Sequence, residues 1–185
     1  MNDPKENIKF LSEKEVRQII DRIDGRKGLR ACRDWALLET LYSTGARISE
    51  ALALPALSVR DADASQTLEL SISGKGGWQR TVYISPQALM ACKAYLARRK
   101  DQDPRLFKLG VRGAQYVVSR RAKEAGFEGV HPHTFRHSLA VDVLEKTHDV
   151  YLAKEFLGHH SISSTEKYLH IRNGKLKDLH SQMYK

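Results

Sequence analysis

Cysteine is almost missing from this chain. Its 185 residues include only Cys32 and Cys92, sixty positions apart, which leaves no disulfide framework and no zinc knuckle and points to a reducing compartment. Proline and glycine are sparse, at 5 and 12 residues. With 41% hydrophobic and 29% charged residues, the composition is neither fibrous nor disordered. No apolar run reaches transmembrane length, and the opening MNDPKENIKF is polar, without the apolar core of a signal peptide. A cytoplasmic protein with no membrane partner is expected. What the chain has in excess is positive charge. Lys and Arg number 31 against 22 acidic residues, a formal charge of +9. Such a balance suits a polyanionic partner, although solubility alone would also account for it. The length is that of one ordinary domain, able to bury a core without metal or disulfide support.

Hydrophobic spacing predicts a mainly α protein with one small antiparallel hairpin, an α+β arrangement. Residues 1–10 read as a loose lead-in. Ser12 with Glu15 three positions on has the pattern of a capping box, and Val16, Ile19, Ile20 and Ile23 recur on one helical face. A second helix is expected over about 30–44, with Trp35, Leu38, Leu41 and Tyr42 inward and Gly45 as its stop. A short third helix runs over about 48–54, before Pro55. Leu68, Leu70 and Ile72 alternate with polar residues, SGKGG at 73–77 is a glycine turn, and TVYI at 81–84 returns, so 66–84 reads as a hairpin. Helices follow over about 86–99 and 113–125, then at 134–146, 148–157 and 163–170, with a basic tail helix near 172–182.

All eight histidines lie between His131 and His180, which draws attention to the last third. His133 and His137 have the spacing of a helical metal pair, but no Glu follows His133 and no Cys is near. A mixed set of basic and phenolic groups reads better. Arg47 follows the helix-ending Gly45 and carries a rigid fork suited to two oxygens of a phosphate. Glu50, three residues on, would hold that fork or form an ordinary helix ion pair. His133 and Arg136 share a helical face. His159 follows Gly158 near a helix end, where a histidine is often only a cap. Tyr168 lies at helical spacing from Leu169 and Ile171, which by itself suggests packing. Lys75 sits at the hairpin tip between Gly74 and Gly76, where a lysine normally faces solvent, yet the glycines permit close approach to another backbone.

Taken together, the segments TGARISEAL, SGKGGWQRTVYI, HPHTFRHSLA and EFLGHHSISSTEKYLHI, in that order, with nine positions from His159 to Tyr168, resemble the catalytic domain of the tyrosine recombinases, the phage-integrase and Xer-like family. KFLSEKEVRQII is similar to that family's first catalytic-domain helix, and the likeness covers about residues 9–182. The resemblance implies that fold, with a catalytic domain over 11–170 and a C-terminal tail over 171–185. It implies a site-specific recombinase that cleaves and rejoins double-stranded DNA through a 3′-phosphotyrosyl intermediate, with no cofactor and no metal. Arg47 and Arg136 would bind the non-bridging oxygens of the scissile phosphate, and Lys75 would protonate the departing 5′ oxygen. His133 and His159 would hydrogen-bond the phosphate, with His133 assisting proton removal from the nucleophile, Tyr168. Glu50 takes the acidic supporting position, and His137 is structural. The tail, with Ile171, Leu176 and Leu179 apolar, would dock on a neighbouring subunit in a homo-oligomer, dimer to tetramer, on DNA, or fold back on its own core. The chain departs from the family in starting almost at the catalytic domain, so it is either an excised domain or a short recombinase.

The chemistry agrees with the residue types. In-line attack on a phosphodiester gathers charge on the equatorial oxygens, which two guanidinium forks stabilise more in the transition state than in the ground state. Tyrosine, with a reference pKa of about 10, needs help to attack as phenolate, and the leaving alkoxide needs a proton donor. Two other functions are compatible with the basic charge: a type IB topoisomerase-like enzyme, and a non-catalytic DNA-binding regulator. The regulator would have no use for all six polar site residues.

Overall fold

Ser12 opens the first helix by closing its capping box. Its backbone N–H donates to Glu15 Oε2 at 2.8 Å, and its Oγ accepts from the Glu15 N–H at 3.4 Å. Helix α1 (Glu13–Asp21) then presents Val16, Ile19 and Ile20 to the interior, and Ile23 is buried just past its end. The computed structural model describes residues 10–73 and 79–158. The expected helices at 163–170 and 172–182, the hairpin tip, most of the lead-in and the whole tail lie outside the described residues.

Helix α2 (Leu29–Thr44) is the spine of the core. Asp34, Ala36 to Tyr42 and Thr44 are all buried along it, and it is flanked by α1, α5 (Pro86–Arg98), α6 (Val111–Glu124) and α7 (Pro132–Thr147). Trp35, expected to point inward, is only half-buried, because it lies over the Gly25 turn at the edge of the core. Helix α3 (Ile48–Leu52) is shorter than its sequence pattern suggests. A further helix, α4 (Ala56–Asp61), was not expected at all. Its start is fixed from a distance: the Ala56 N–H donates to the Pro104 carbonyl at 2.8 Å and the Leu106 N–H to the Leu54 carbonyl at 2.6 Å, around a bridge between Pro55 and Arg105.

Strands β1 (Leu68–Ser73) and β2 (Gln79–Ile84) pair antiparallel, with Leu68 opposite Ile84, Leu70 opposite Val82 and Ile72 opposite Arg80. Ser85 caps α5, its Oγ accepting from the Ala88 N–H at 3.3 Å. Helix α8 (Val150–Leu157) begins on Asp149, whose Oδ1 accepts from the Tyr151 and Leu152 N–H groups at 2.7 and 3.2 Å. A second, small apolar cluster joins α7 to α8 through Ala140, Val141, Leu144, Ala153 and Leu157. Leu139 touches both this cluster and the main core. Among the described residues no helix is long and apolar enough to cross a membrane.

Two polar seams hold the helices in place. The fully buried Asp34 carboxylate accepts from Arg33, Arg120 and Arg121 at 2.7, 2.6 and 2.8 Å and so ties α2 to α6. The Tyr42 hydroxyl donates to Asp142 and ties α2 to α7. Burial, reinforced by that neighbouring carboxylate, pushes the Tyr42 phenol well above its ordinary range.

Candidate active site

The site is assembled where α2, α7 and α8 end or meet. Gly45 stops α2 at φ +56°, a left-handed conformation in which side chains are rare. An added Cβ there would also stand 2.9 Å from Leu139 Cδ2 and 3.0 Å from Leu157 Cδ2, so those leucine side chains would have to shift. The chain therefore turns tightly, and Arg47, two residues later, caps the start of α3. The Arg47 N–H donates to Glu50 Oε2 at 2.8 Å and its Nη1 to Glu50 Oε1 at 2.9 Å. The carboxylate at the start of the helix thus aims the guanidinium while satisfying a backbone donor. Glu50 forms the helix ion pair with Arg47 that the spacing of three suggests. Burial works to raise the Glu50 pKa, but the Arg47 N–H and the Arg80 and Arg47 guanidiniums outweigh it. The carboxyl is held below its usual range.

Arg136 enters from the middle of α7 and is 4% exposed. Its Nη1 donates to the Gly45 carbonyl, and its Nη2 to the Leu157 carbonyl at 2.8 Å. These carbonyls terminate α2 and α8, where the helix dipoles leave partial negative charge, so a guanidinium is well matched to both. The Arg47 side chain, by contrast, is 40% exposed. One arginine is a buried bracket and the other reaches outward, and the bracket grips the residue two positions before its partner.

His133 lies one helical turn before Arg136 on an exposed surface, with the His131 and His137 rings 6.2 and 6.4 Å away, centroid to centroid. Partial desolvation of the ring, then the charges of His131, Arg136 and Arg47, lower its pKa. Arg47, His133 and Arg136 therefore share one electrostatic neighbourhood, in which the protonated form of the imidazole is disfavoured. Because its folded pKa lies below the unfolded value, acid favours the unfolded chain here, and stability falls as pH drops below about 6.5. In an NMR titration the His133 ring is expected to show a midpoint below that of a free histidine. Arg47→Gln should move it upward by removing one repelling charge; a midpoint that stays put would separate Arg47 from His133.

Lys75, His159 and Tyr168 lie outside the described residues. The flanking structure is defined for two of them: Lys75 belongs to the connection between Ser73 and Gln79, and His159 directly follows Gly158, which ends α8 at φ +63°. Sequence reasoning missed Arg80, whose Nη2 donates to Glu50 Oε2 at 2.9 Å. The signal was present. With the returning strand begun at Gln79 rather than Thr81, the period of two places Arg80 on the same face as the buried Val82 and Ile84.

The model of the phage integrase family matches residues 9–175. The chain is 34% identical over 184 residues to tyrosine recombinase XerA of Pyrococcus furiosus, covering 95% of this chain and 62% of that one. To tyrosine recombinase XerC of Leptospira interrogans it is 31% identical over 196 residues, covering 100% and 58%. It thus spans less than two thirds of the length of these relatives. Among solved structures, the post-cleavage complex of XerH site-specific recombinase bound to palindromic difH substrate superposes with a TM-score of 0.78 at 25% identity, covering 96% of this chain and 54% of that one. The crystal structure of XerA recombinase gives 0.75 at 24% identity, covering 94% and 64%, a likeness of fold.

Proposed function

The chain belongs to the phage integrase family of tyrosine recombinases, and from that premise we propose that it cleaves and rejoins double-stranded DNA at specific sites through a 3′-phosphotyrosyl intermediate. One observation carries the reading: the Arg136 fork is anchored on the Gly45 carbonyl, two residues before Arg47, with His133 close enough to feel both charges. Two guanidiniums and an imidazole in one neighbourhood suit a single phosphate undergoing in-line displacement.

The Tyr168 hydroxyl oxygen attacks phosphorus while its proton passes toward His133. The bond from phosphorus to the 5′ oxygen breaks, and Lys75 supplies that oxygen with a proton. Arg47, Arg136 and His159 stabilise the charge on the non-bridging oxygens. The covalent link conserves the bond energy, so a free 5′ hydroxyl of another strand reverses the sequence and exchanges strands. The +9 charge favours the polyanionic duplex, as do the DNA complexes formed by structural relatives. In this reading residues 11–170 form the catalytic domain, and the tail over 171–185 joins copies on DNA.

The test is a pool of nicked duplexes randomised around the nick, so that a cleaved strand loses its short 5′-hydroxyl fragment and cannot be resealed. Covalent protein–DNA adducts are expected, and mass spectrometry of the attached peptide should place the DNA 3′ phosphate on Tyr168. Tyr168→Phe should bind the selected duplex with affinity within about threefold of the parent, since one hydroxyl among many phosphate contacts is lost, and yield no adduct. Normal adduct from that variant would remove Tyr168 as the nucleophile; no adduct from the parent chain would remove the recombinase reading.

A further inference from the structure

A third arginine reaches the site from the side of the sheet. Arg80 stands second in β2, opposite Ile72, and its side chain is 12% exposed. Val82 and Ile84 fill the next inward positions of that strand with buried aliphatic side chains. The Arg80 stem lies over Gly158, where an added Cβ would collide with its Cδ. Its Nη2 donates to Glu50 Oε2 at 2.9 Å, while its Nε and Nη1 are buried and find no partner among the described residues. N–H groups taken from water without a partner destabilise a fold. Stability by itself would favour a third aliphatic side chain at position 80.

The contact that Arg80 does make lies on the support of Arg47. Three donors divide the two oxygens of Glu50. Oε2 accepts from the Arg47 N–H at 2.8 Å and from Arg80 at 2.9 Å, and Oε1 accepts from Arg47 Nη1 at 2.9 Å. The Glu50 side chain is 3% exposed, whereas that of Arg47 is 40% exposed and has few other restraints on its stem. Burial drives the Glu50 carboxyl toward its neutral form; the Arg47 N–H, then Arg80 through both its hydrogen bond and its charge, then the Arg47 guanidinium hold it ionised. Without Arg80, Oε2 would be held by a backbone N–H alone, and the carboxyl would take up a proton more readily. The fork bonded to Oε1 would then regain its rotamers. Arg136 is anchored separately, on the Gly45 and Leu157 carbonyls.

We propose that Arg80 is a positioning residue for Arg47, fixing the Glu50 carboxylate from the sheet so that the Arg47 guanidinium is preset for a non-bridging oxygen of the scissile phosphate. The inference rests on the recombinase reading above and deepens it. Arg80 touches no reacting atom in this account. It acts through Glu50, and its removal loosens one of the two phosphate-binding forks while the carbonyl anchors of the other stay in place.

Adduct formation on the selected duplex, followed in single turnovers, tests this with a double-mutant cycle. Arg80→Gln and Glu50→Gln should each slow the reaction by about 10- to 100-fold, the scale for a group misplaced at a reacting centre. The double variant should stay within about threefold of the slower single one, because both changes break the same support. The ratio of parent to Arg80→Gln rates should also widen from the alkaline to the acid side of neutrality. Arg80 helps to hold the Glu50 pKa down, so its loss raises that pKa, and protonation then removes the acceptor of the fork as pH falls. In the Glu50→Gln background that widening should vanish. Arg80→Lys, which keeps a charge near Glu50, should lose less. It carries the same cycle and pH series even if the glutamine variant fails to fold, as thermal melting would reveal. Losses that multiply in the double variant, or a ratio that does not change with pH, overturn the assignment, since a merely structural arginine would give both. A parent chain that forms no adduct overturns the recombinase reading itself, and this inference with it.

Discussion

Replacing Arg136 by lysine is expected to lower the rate of covalent adduct formation by about 10²- to 10³-fold, the scale for losing a preorganised donor at a developing oxyanion, although the charge is conserved. The reason lies in the bracket. The guanidinium reaches the Gly45 and Leu157 carbonyls with its two terminal nitrogens, in one plane and with little exposure. An ammonium is a point charge with no fork, so it would satisfy one carbonyl and release the other. The carbonyl left buried costs about 1–3 kcal/mol, and the two helix ends lose their common anchor. Assays well below the melting temperature separate this chemical loss from the stability loss. A lysine variant that retains near-parent rates would show that charge alone suffices and that the two-carbonyl geometry is incidental.

The second large effect belongs to stability. Asp34→Ala removes a carboxylate with no exposed surface and leaves the Arg33, Arg120 and Arg121 guanidiniums converging on an empty centre. Removing one partner of a buried ion pair costs about 3–5 kcal/mol. These arginines are 17–37% exposed and regain some water, so about 3 kcal/mol is expected, a fall in melting temperature of about 6–12 °C for a chain of this size. Asp34→Asn keeps an acceptor and should lose less. Melting curves for the two variants decide it; an unchanged midpoint for the alanine variant would mean that the arginines rehydrate without penalty.

Much of the frame was legible in the residues. The Ser12 capping box, the Val16–Ile19–Ile20 face, the Gly45 stop and the hairpin depend on short-range rules, and the structure reproduces each. What escaped has a tertiary cause. Helix α4 has no apolar period to announce it; its start is held by a strand-like bridge from Pro55 to Arg105, fifty positions away. Asp34 reads as an ordinary charged residue until α6 brings two arginines to it. Arg80 was hidden by a strand boundary misplaced by two residues, and its partner Glu50 lies thirty positions earlier. For the site, the resemblance supplied the roles. The structure adds that Arg47, His133 and Arg136 share one neighbourhood and that Glu50 serves two arginines instead of one.

The Arg136 bracket also bears on how such a protein tolerates inherited change. Its two acceptors are peptide oxygens at positions 45 and 157, atoms that no single-residue replacement deletes. The alignment of three helices at the candidate site is thus insulated from drift in most side chains around it. Position 136 must supply a planar cation, and position 45 must hold a left-handed backbone beside Leu139 and Leu157.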